Sequence, residues 1–96
     1  MDTEQYLRIK FPVTTANISS KEFRAILENG IEKAAASNII ERTDVRYFLE
    51  YIIVLGQAFD TEPSNEWAVD ILGIRNLAGS EKIKRMLRTY SLTQES

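Results

Sequence analysis

The spacing of hydrophobic residues changes its period along this chain. From Tyr6 to Val13 apolar and polar side chains alternate, which is the period of a half-buried strand, and Pro12 suits an edge strand because it cannot donate to a ladder. The apolar face of this segment comprises Leu7, Ile9, Phe11 and Val13. Nothing else in the chain alternates in this way, so the segment has no partner strand. We therefore predict an extended N-terminal arm over residues 1–18, either laid across the rest or paired with another chain.

The spacing becomes helical from Ser19 onward. Ser19 and Glu22 are three residues apart, the spacing of a capping box, and Asn38 is suited to end the helix in a left-handed conformation. Gly30 lies inside this helix and costs about 1 kcal/mol relative to alanine, a cost that a close helix–helix contact would partly offset.

A second helix, from a cap at Thr43 to about Leu55, is apolar on nearly all sides. Such a helix must be covered on both faces, and we predict that it is the central element of the core. The alternative is that one face, bearing Tyr47 and Tyr51, docks a partner.

Two shorter helices complete the pattern. Trp67 lies on the apolar face of the third, which closes at Gly73, and the fourth is expected to start at Ser80. The fourth helix carries four cations outside its apolar face: Lys82, Lys84, Arg85 and Arg88. A solvated surface is the simpler interpretation of these cations, and nucleic-acid binding is the alternative. The tail, residues 92–96, should be frayed.

Composition places the chain among single globular domains. It has 96 residues, a hydrophobic fraction of 44% and a formal net charge of -2, so no global excess of positive charge favours nucleic acid or an anionic membrane. The sequence shows no secretory signal and no apolar run long enough to span a bilayer. We expect a cytoplasmic protein without membrane contact.

The residue inventory disfavours an enzyme. There is no histidine and no cysteine, which removes the commonest general base, thiolate chemistry and the usual zinc ligands. A calcium loop starting at Asp60 would require glycine at Asn65 and glutamate at Ile71. We therefore expect no cofactor, no metal and no catalytic residues.

The central part of the chain resembles a group of small helical bacterial proteins. They are encoded beside genes for type VI secretion spikes, PAAR tips and their toxin cargo. The similar elements, in order, are a Thr-Asp-Val helix entry at Thr43, a Gly-x-x-Phe-Asp segment, an acidic proline loop, a Trp-Ala pair and a final basic Met-Leu element. The central motif positions here are Gly56, Phe59, Asp60, Pro63, Trp67 and Ala68. The resemblance implies an accessory role toward a secreted effector, with these positions serving as scaffold.

Together these observations predict an all-α protein: a small irregular four-helix bundle over residues 19–91 with an extended N-terminal arm. The expected function is non-enzymatic binding of a protein, either a secreted effector or a spike component, as a chaperone, adaptor or immunity protein. The arm could also join two copies in a homodimer. The expected contact residues are Leu7, Ile9, Phe11, Val13, Tyr47 and Tyr51. The alternative function is a small regulator that binds nucleic acid through its basic last helix.

Overall fold

The computed structural model describes residues 3–56, 59 and 63–90. This part of the chain is helical and contains no strand, which confirms the predicted all-α class. In chain order the helices are α1 (Thr3–Lys10), α2 (Pro12–Thr15), α3 (Ser20–Ala36), α4 (Arg42–Leu55), α5 (Glu66–Leu72) and α6 (Gly79–Thr89), with a 3-10 turn at Pro63–Asn65 before α5. The predicted tail 92–96 and the motif residue Asp60 lie outside the described residues.

The prediction of an extended arm is wrong. Tyr6–Val13 falls in α1 and α2, which meet at Phe11, and the Phe11 amide donates to the Leu7 carbonyl at 2.9 Å. The Thr15 amide then donates to the Phe11 carbonyl at 3.1 Å. Leu7, Phe11 and Thr15 are four residues apart and all buried, which is the helical period rather than the strand period.

Helix α3 has the predicted ends. The Ser19 hydroxyl accepts a hydrogen bond from the Glu22 amide at 3.2 Å, as expected for an N-cap. At the other end Asn38 has a φ of 64°, and the Ile39 amide donates to the Ala34 carbonyl at 2.9 Å. This is a Schellman-type ending, and it sends the buried Ile39 back onto the core.

Helix α4 is the central helix, as predicted. It begins at Arg42 with Glu41 as its N-cap, two residues before the cap predicted at Thr43. Every residue of the run 48–53 is buried, so both faces of the helix are covered. The helix ends at Leu55, and Gly56 follows with a φ of 105°, a conformation that favours glycine.

Helices α5 and α6 close the core against α4. α5 is followed by Gly73 at its C-cap, as predicted, and α6 begins one residue before the predicted Ser80. The Ser80 hydroxyl donates to Asp44 of α4 at 2.7 Å, which joins the first turns of the two helices. The buried apolar residues of the core are Leu7, Phe11, Phe23, Ala34, Ile39, Phe48, Leu49, Tyr51, Ile52, Ile53, Phe59, Ala68, Ile83 and Met86.

Candidate functional site

The helical N-terminal segment divides the four residues predicted to form one contact face. Leu7 and Phe11 are 0% and 1% exposed and belong to the core, whereas Ile9 and Val13 are 54% and 73% exposed. A strand would have placed all four on one side, but a helix places residues two apart on opposite sides. Only Ile9 and Val13 of the four are therefore exposed to a partner, and Ile9 lines a shallow depression together with Glu4, Gln5 and Arg8.

The Tyr47/Tyr51 face predicted as the alternative docking site is not an open surface. Tyr51 is completely buried, and its hydroxyl donates to the Tyr90 carbonyl at 2.6 Å. Burial raises the pKa of Tyr51 well above its usual value, and the charge of Glu50 and the neighbouring Tyr90 add to the shift. Tyr47 is partly buried and packs against the core.

Several of the motif residues from the resemblance meet in an aromatic cluster beside α4. Phe59 lies with its ring centroid 5.3 Å from that of Phe48 and 6.0 Å from that of Tyr51. Trp67 packs edge-on to Tyr51 at 5.8 Å and stacks on Tyr90 at 5.5 Å. These rings pack against one another and against α4, and Ala68 next to Trp67 is also fully buried.

Sequence reasoning missed a charged site in the middle of α4. Glu50 is completely buried, and its carboxylate forms an ion pair with the ammonium of Lys10 in α1. The Tyr6 hydroxyl donates to the other carboxylate oxygen at 3.3 Å. The guanidinium of Arg46 lies 4.7 Å from the centre of the Tyr6 ring, so a second cation adjoins the site.

The environment of Lys10 favours its charged form. Partial burial acts to lower its pKa, but the hydrogen bond and the charge of Glu50 outweigh that effect, so the pKa lies above its ordinary value. A signal for this pair was present in the sequence. A glutamate between Leu49 and Tyr51, inside an otherwise apolar helix, requires a cation when that helix is buried.

Arg8 holds the N-terminal segment together. Its guanidinium donates to Glu4 at 3.0 Å and to the backbone carbonyls of Thr15 and Ile18 at 3.0 and 2.7 Å. The same group lies 4.7 Å from the centre of the Phe23 ring in α3. One side chain thus ties α1 to the end of α2, to the linker before α3 and to α3 itself.

The basic helix α6 is less uniform than its sequence predicts. Lys82, expected on a solvated face, is 3% exposed, and its ammonium donates to the carbonyls of Ser37 and Leu72 at 2.9 and 3.0 Å. It therefore links the C-terminal ends of α3 and α5. Lys84, Arg85 and Arg88 are exposed, and Lys84 pairs with Glu81 at 3.4 Å.

These contacts leave the buried polar groups satisfied. Among the described residues, no buried side-chain nitrogen or oxygen lacks a hydrogen-bond partner, and no group of three or more carboxylates is placed to hold a metal ion. No helix in the described ranges is long and apolar enough to cross a bilayer. The buried charged groups Glu50 and Lys82 are thus used for internal contacts.

Comparison of the chain with family models, with curated proteins and with solved structures finds no match.

Proposed function

We propose that this chain is a non-enzymatic, protein-binding accessory factor of a bacterial secretion or toxin cluster. In this proposal it acts in the cytoplasm on a secreted effector or a spike component, as a chaperone, adaptor or immunity protein. The observation that carries the proposal is the exposure of Ile9 and Val13 on a short segment whose inner residues are fixed in the core. The type VI resemblance of the central helices supplies the class of partner.

The geometry of the N-terminal segment supports a docking role. Ile9 in α1 and Val13 in α2 are both exposed, one on either side of the bend at Phe11. Leu7 and Phe11 hold the segment from beneath, and Arg8 fixes its far end. While the segment is closed, two apolar side chains held on its helical backbone lose little conformational freedom when a partner covers them.

The buried charges support a non-catalytic role. A carboxylate enzyme needs an acidic group with an altered pKa that faces a cleft. The buried carboxylate Glu50 instead faces Lys10 and Tyr6 inside the core, and the buried ammonium of Lys82 faces two backbone carbonyls.

Co-expression with the products of the flanking genes tests the proposal. We expect one neighbouring product, a toxin or spike component, to gain solubility and to co-purify with this chain. The double variant Ile9→Asp/Val13→Asp should abolish co-purification without changing the fold measured by circular dichroism. Ile40→Asp is the matched control, since Ile40 is 76% exposed but lies on the α3–α4 connection.

The form of the result separates the possible roles. A toxin that becomes soluble but stays active indicates a chaperone or adaptor, whereas a toxin that loses activity indicates an immunity protein. Light scattering of the purified chain distinguishes a homodimer formed through the same face, which the double aspartate variant would convert to monomer. Co-purification that survives the double variant and fails with Ile40→Asp would contradict the assignment of the face.

Exposure of Lys84, Arg85 and Arg88 on one side of α6 keeps the nucleic-acid alternative open to a direct test. A regulator of that kind would bind DNA or RNA with an affinity that falls steeply as salt increases, because each cation releases counterions from the phosphate backbone. We expect no such binding. Tight, salt-dependent binding that is lost when all three cations are changed to glutamine would replace the accessory role with a regulatory one.

A further inference from the structure

We propose that α1–α2 is a cover over α3 and α4 that opens as one unit while the rest of α3–α6 stays folded, and that the Lys10–Glu50 ion pair keeps it closed. This device goes beyond the proposed function and does not depend on the identity of any partner. Three features of the segment support it. The residues of α1–α2 contact one another, few charged contacts join the segment to the other helices, and the Glu50 carboxylate is buried only in the closed form.

The segment behaves as one unit because α1, α2 and the linker before α3 stabilise one another. α1 and α2 contain eight and four residues, and helices this short are not stable alone in water. The Phe11 amide completes the last turn of α1 and the Phe11 carbonyl accepts the first hydrogen bond of α2, so the two helices share this residue. Arg8 in addition binds the carbonyls of Thr15 and Ile18, which links α1 to the linker that precedes α3. Loss of one part removes the support of the others.

The attachment to α4 converges on one carboxylate. Lys10 and Tyr6 both contact Glu50, and Arg46 of α4 lies over the Tyr6 ring. Leu7 and Phe11 are buried in the core, where α1 packs against α3 and α2 packs against α4. The polar ties to α3 are the Arg8 guanidinium over the Phe23 ring at 4.7 Å and the hydrogen bond from the Ser20 hydroxyl to Glu4 at 3.2 Å, of which the second is exposed and contributes little to closure.

The ion pair acts on the closed form alone. When α1 is docked, Glu50 is fully buried and its charge is matched by Lys10. When α1 is undocked, water reaches Glu50 and the carboxylate needs no cation. Removal of Lys10 therefore destabilises the closed form but leaves the open form unchanged, so the opening equilibrium shifts. A substitution in the core of α3–α6 would instead weaken both forms.

Opening uncovers the strip of α3 and α4 that the segment covers, and with it the carboxylate of Glu50. The chemistry that fits this strip is present in the chain: an amphipathic helix with two apolar residues four apart and a lysine beside them, as in Leu7, Phe11 and Lys10. The closed segment thus occupies a surface suited to a helix of that kind.

Native-state hydrogen exchange of the full chain tests this proposal, under conditions in which the opened segment recloses faster than its exposed amides exchange. We expect the hydrogen-bonded amides of α1–α2 to exchange at least about tenfold faster than the slowest amides of α4. Lys10→Met should increase exchange in α1–α2 by at least a further tenfold and leave α4 and α6 within about threefold of wild type. Lys10→Met/Glu50→Gln should recover most of the lost protection, because no unpaired charge is then buried.

Lys84→Met is the matched control, since it removes the same side chain from an exposed pair on α6 and should change exchange nowhere. The proposal is overturned if wild-type α1–α2 is as protected as α4, or if Lys10→Met raises exchange equally in every helix. It is also overturned if the double variant exchanges as fast as Lys10→Met. A second measurement applies if Lys10→Met does not fold. The single variants Leu7→Cys and Ala34→Cys each place one thiol in a chain that otherwise has no cysteine, and the rates at which the two thiols are labelled are compared. Equal rates would refute a separately opening cover, and faster labelling at position 7 would support it.

Discussion

Gly79 lies directly against the backbone carbonyl of Asn38. A Cβ atom built on Gly79 would be 2.1 Å from that oxygen, and the neighbouring atoms within 3 Å are also backbone. The first turn of α6 therefore rests on the α3–α4 connection with no room for a side chain. This contact fixes where α6 starts relative to the Schellman ending of α3.

We expect Gly79→Ala to lower the free energy of unfolding by about 3 kcal/mol, the upper end of the usual range for overpacking, because backbone atoms must move. Gly30→Ala is the informative comparison. Its Cβ would lie 2.5 Å from Leu49 and 2.7 Å from Ile52, but both contacts are with side-chain ends that can shift. The helix propensity of alanine offsets about 1 kcal/mol there. Urea denaturation that finds Gly30→Ala the more damaging substitution would contradict this account.

The helical N-terminal segment predicts unequal effects at neighbouring positions. Phe11→Ala should cost about 3 kcal/mol because it empties a buried site, whereas Ile9→Ala should stay within about 0.5 kcal/mol of wild type. An extended arm with one apolar face would make the two costs similar. Equal losses in thermal melts of the two variants would thus argue for the strand.

Two lysines two residues apart on α6 should behave differently. Lys82→Met leaves the carbonyls of Ser37 and Leu72 without their donor and should cost about 2 kcal/mol. Lys84→Met breaks only an exposed pair with Glu81 and should cost less than about 0.5 kcal/mol. Chemical denaturation of both variants at neutral pH measures the difference. A neutral Lys82→Met would show that its two carbonyls find water or other donors.

Stability should fall at alkaline pH, and Tyr51 should account for part of the loss. Its folded pKa is raised above the unfolded value of about 10, so above that pH the folded state binds more protons than the unfolded state. The free energy of unfolding then decreases as pH rises. Lys10, whose pKa is also raised, acts in the same direction above its own unfolded value of 10.5.

Tyr51→Phe separates the contribution of this hydroxyl. At neutral pH the variant should be about 1 kcal/mol less stable, because the bond to the Tyr90 carbonyl is lost. Between pH 10 and 11 its stability should fall less steeply than that of wild type, and the two curves should converge. Tyr47→Phe serves as the control for loss of a tyrosine hydroxyl. Parallel pH curves for wild type and Tyr51→Phe would mean that Tyr51 does not contribute to the alkaline loss.

The N-terminal segment shows why its structure could not be settled from the sequence. Eight residues with apolar side chains at every second position fit a strand, yet the same string contains Leu7 and Phe11 at a helical spacing. The surface of α3 and α4, on which the segment packs, decided between strand and helix. α3 and α4 offer a cleft for two large side chains and a carboxylate for Lys10, and a helix satisfies all three while keeping its backbone hydrogen bonds internal.

The exposed and buried residues of the candidate site could not be told apart from the sequence either. The exposure of Ile9 and Val13 follows from the helical turn of α1–α2, so it could not be separated from the burial of Leu7 and Phe11 in advance. The position of Tyr51 was equally open, because a helix apolar on both sides leaves undecided which face meets the core first. The glutamate between Leu49 and Tyr51 was the one visible sign of a polar contact at that place.

Features that depend on neighbours along the chain could be predicted from the sequence. It placed the Ser19 cap, the left-handed Asn38, the glycine after α4 and the amphipathic pattern of α6, because capping and helical spacing act within a few residues. The pairing of Lys10 with Glu50, the burial of Lys82 and the contact of Gly79 with Asn38 follow instead from the packing of the helices. These contacts join residues some forty positions apart. Their partners are set by how the helices pack, which local hydrogen bonding and spacing do not specify.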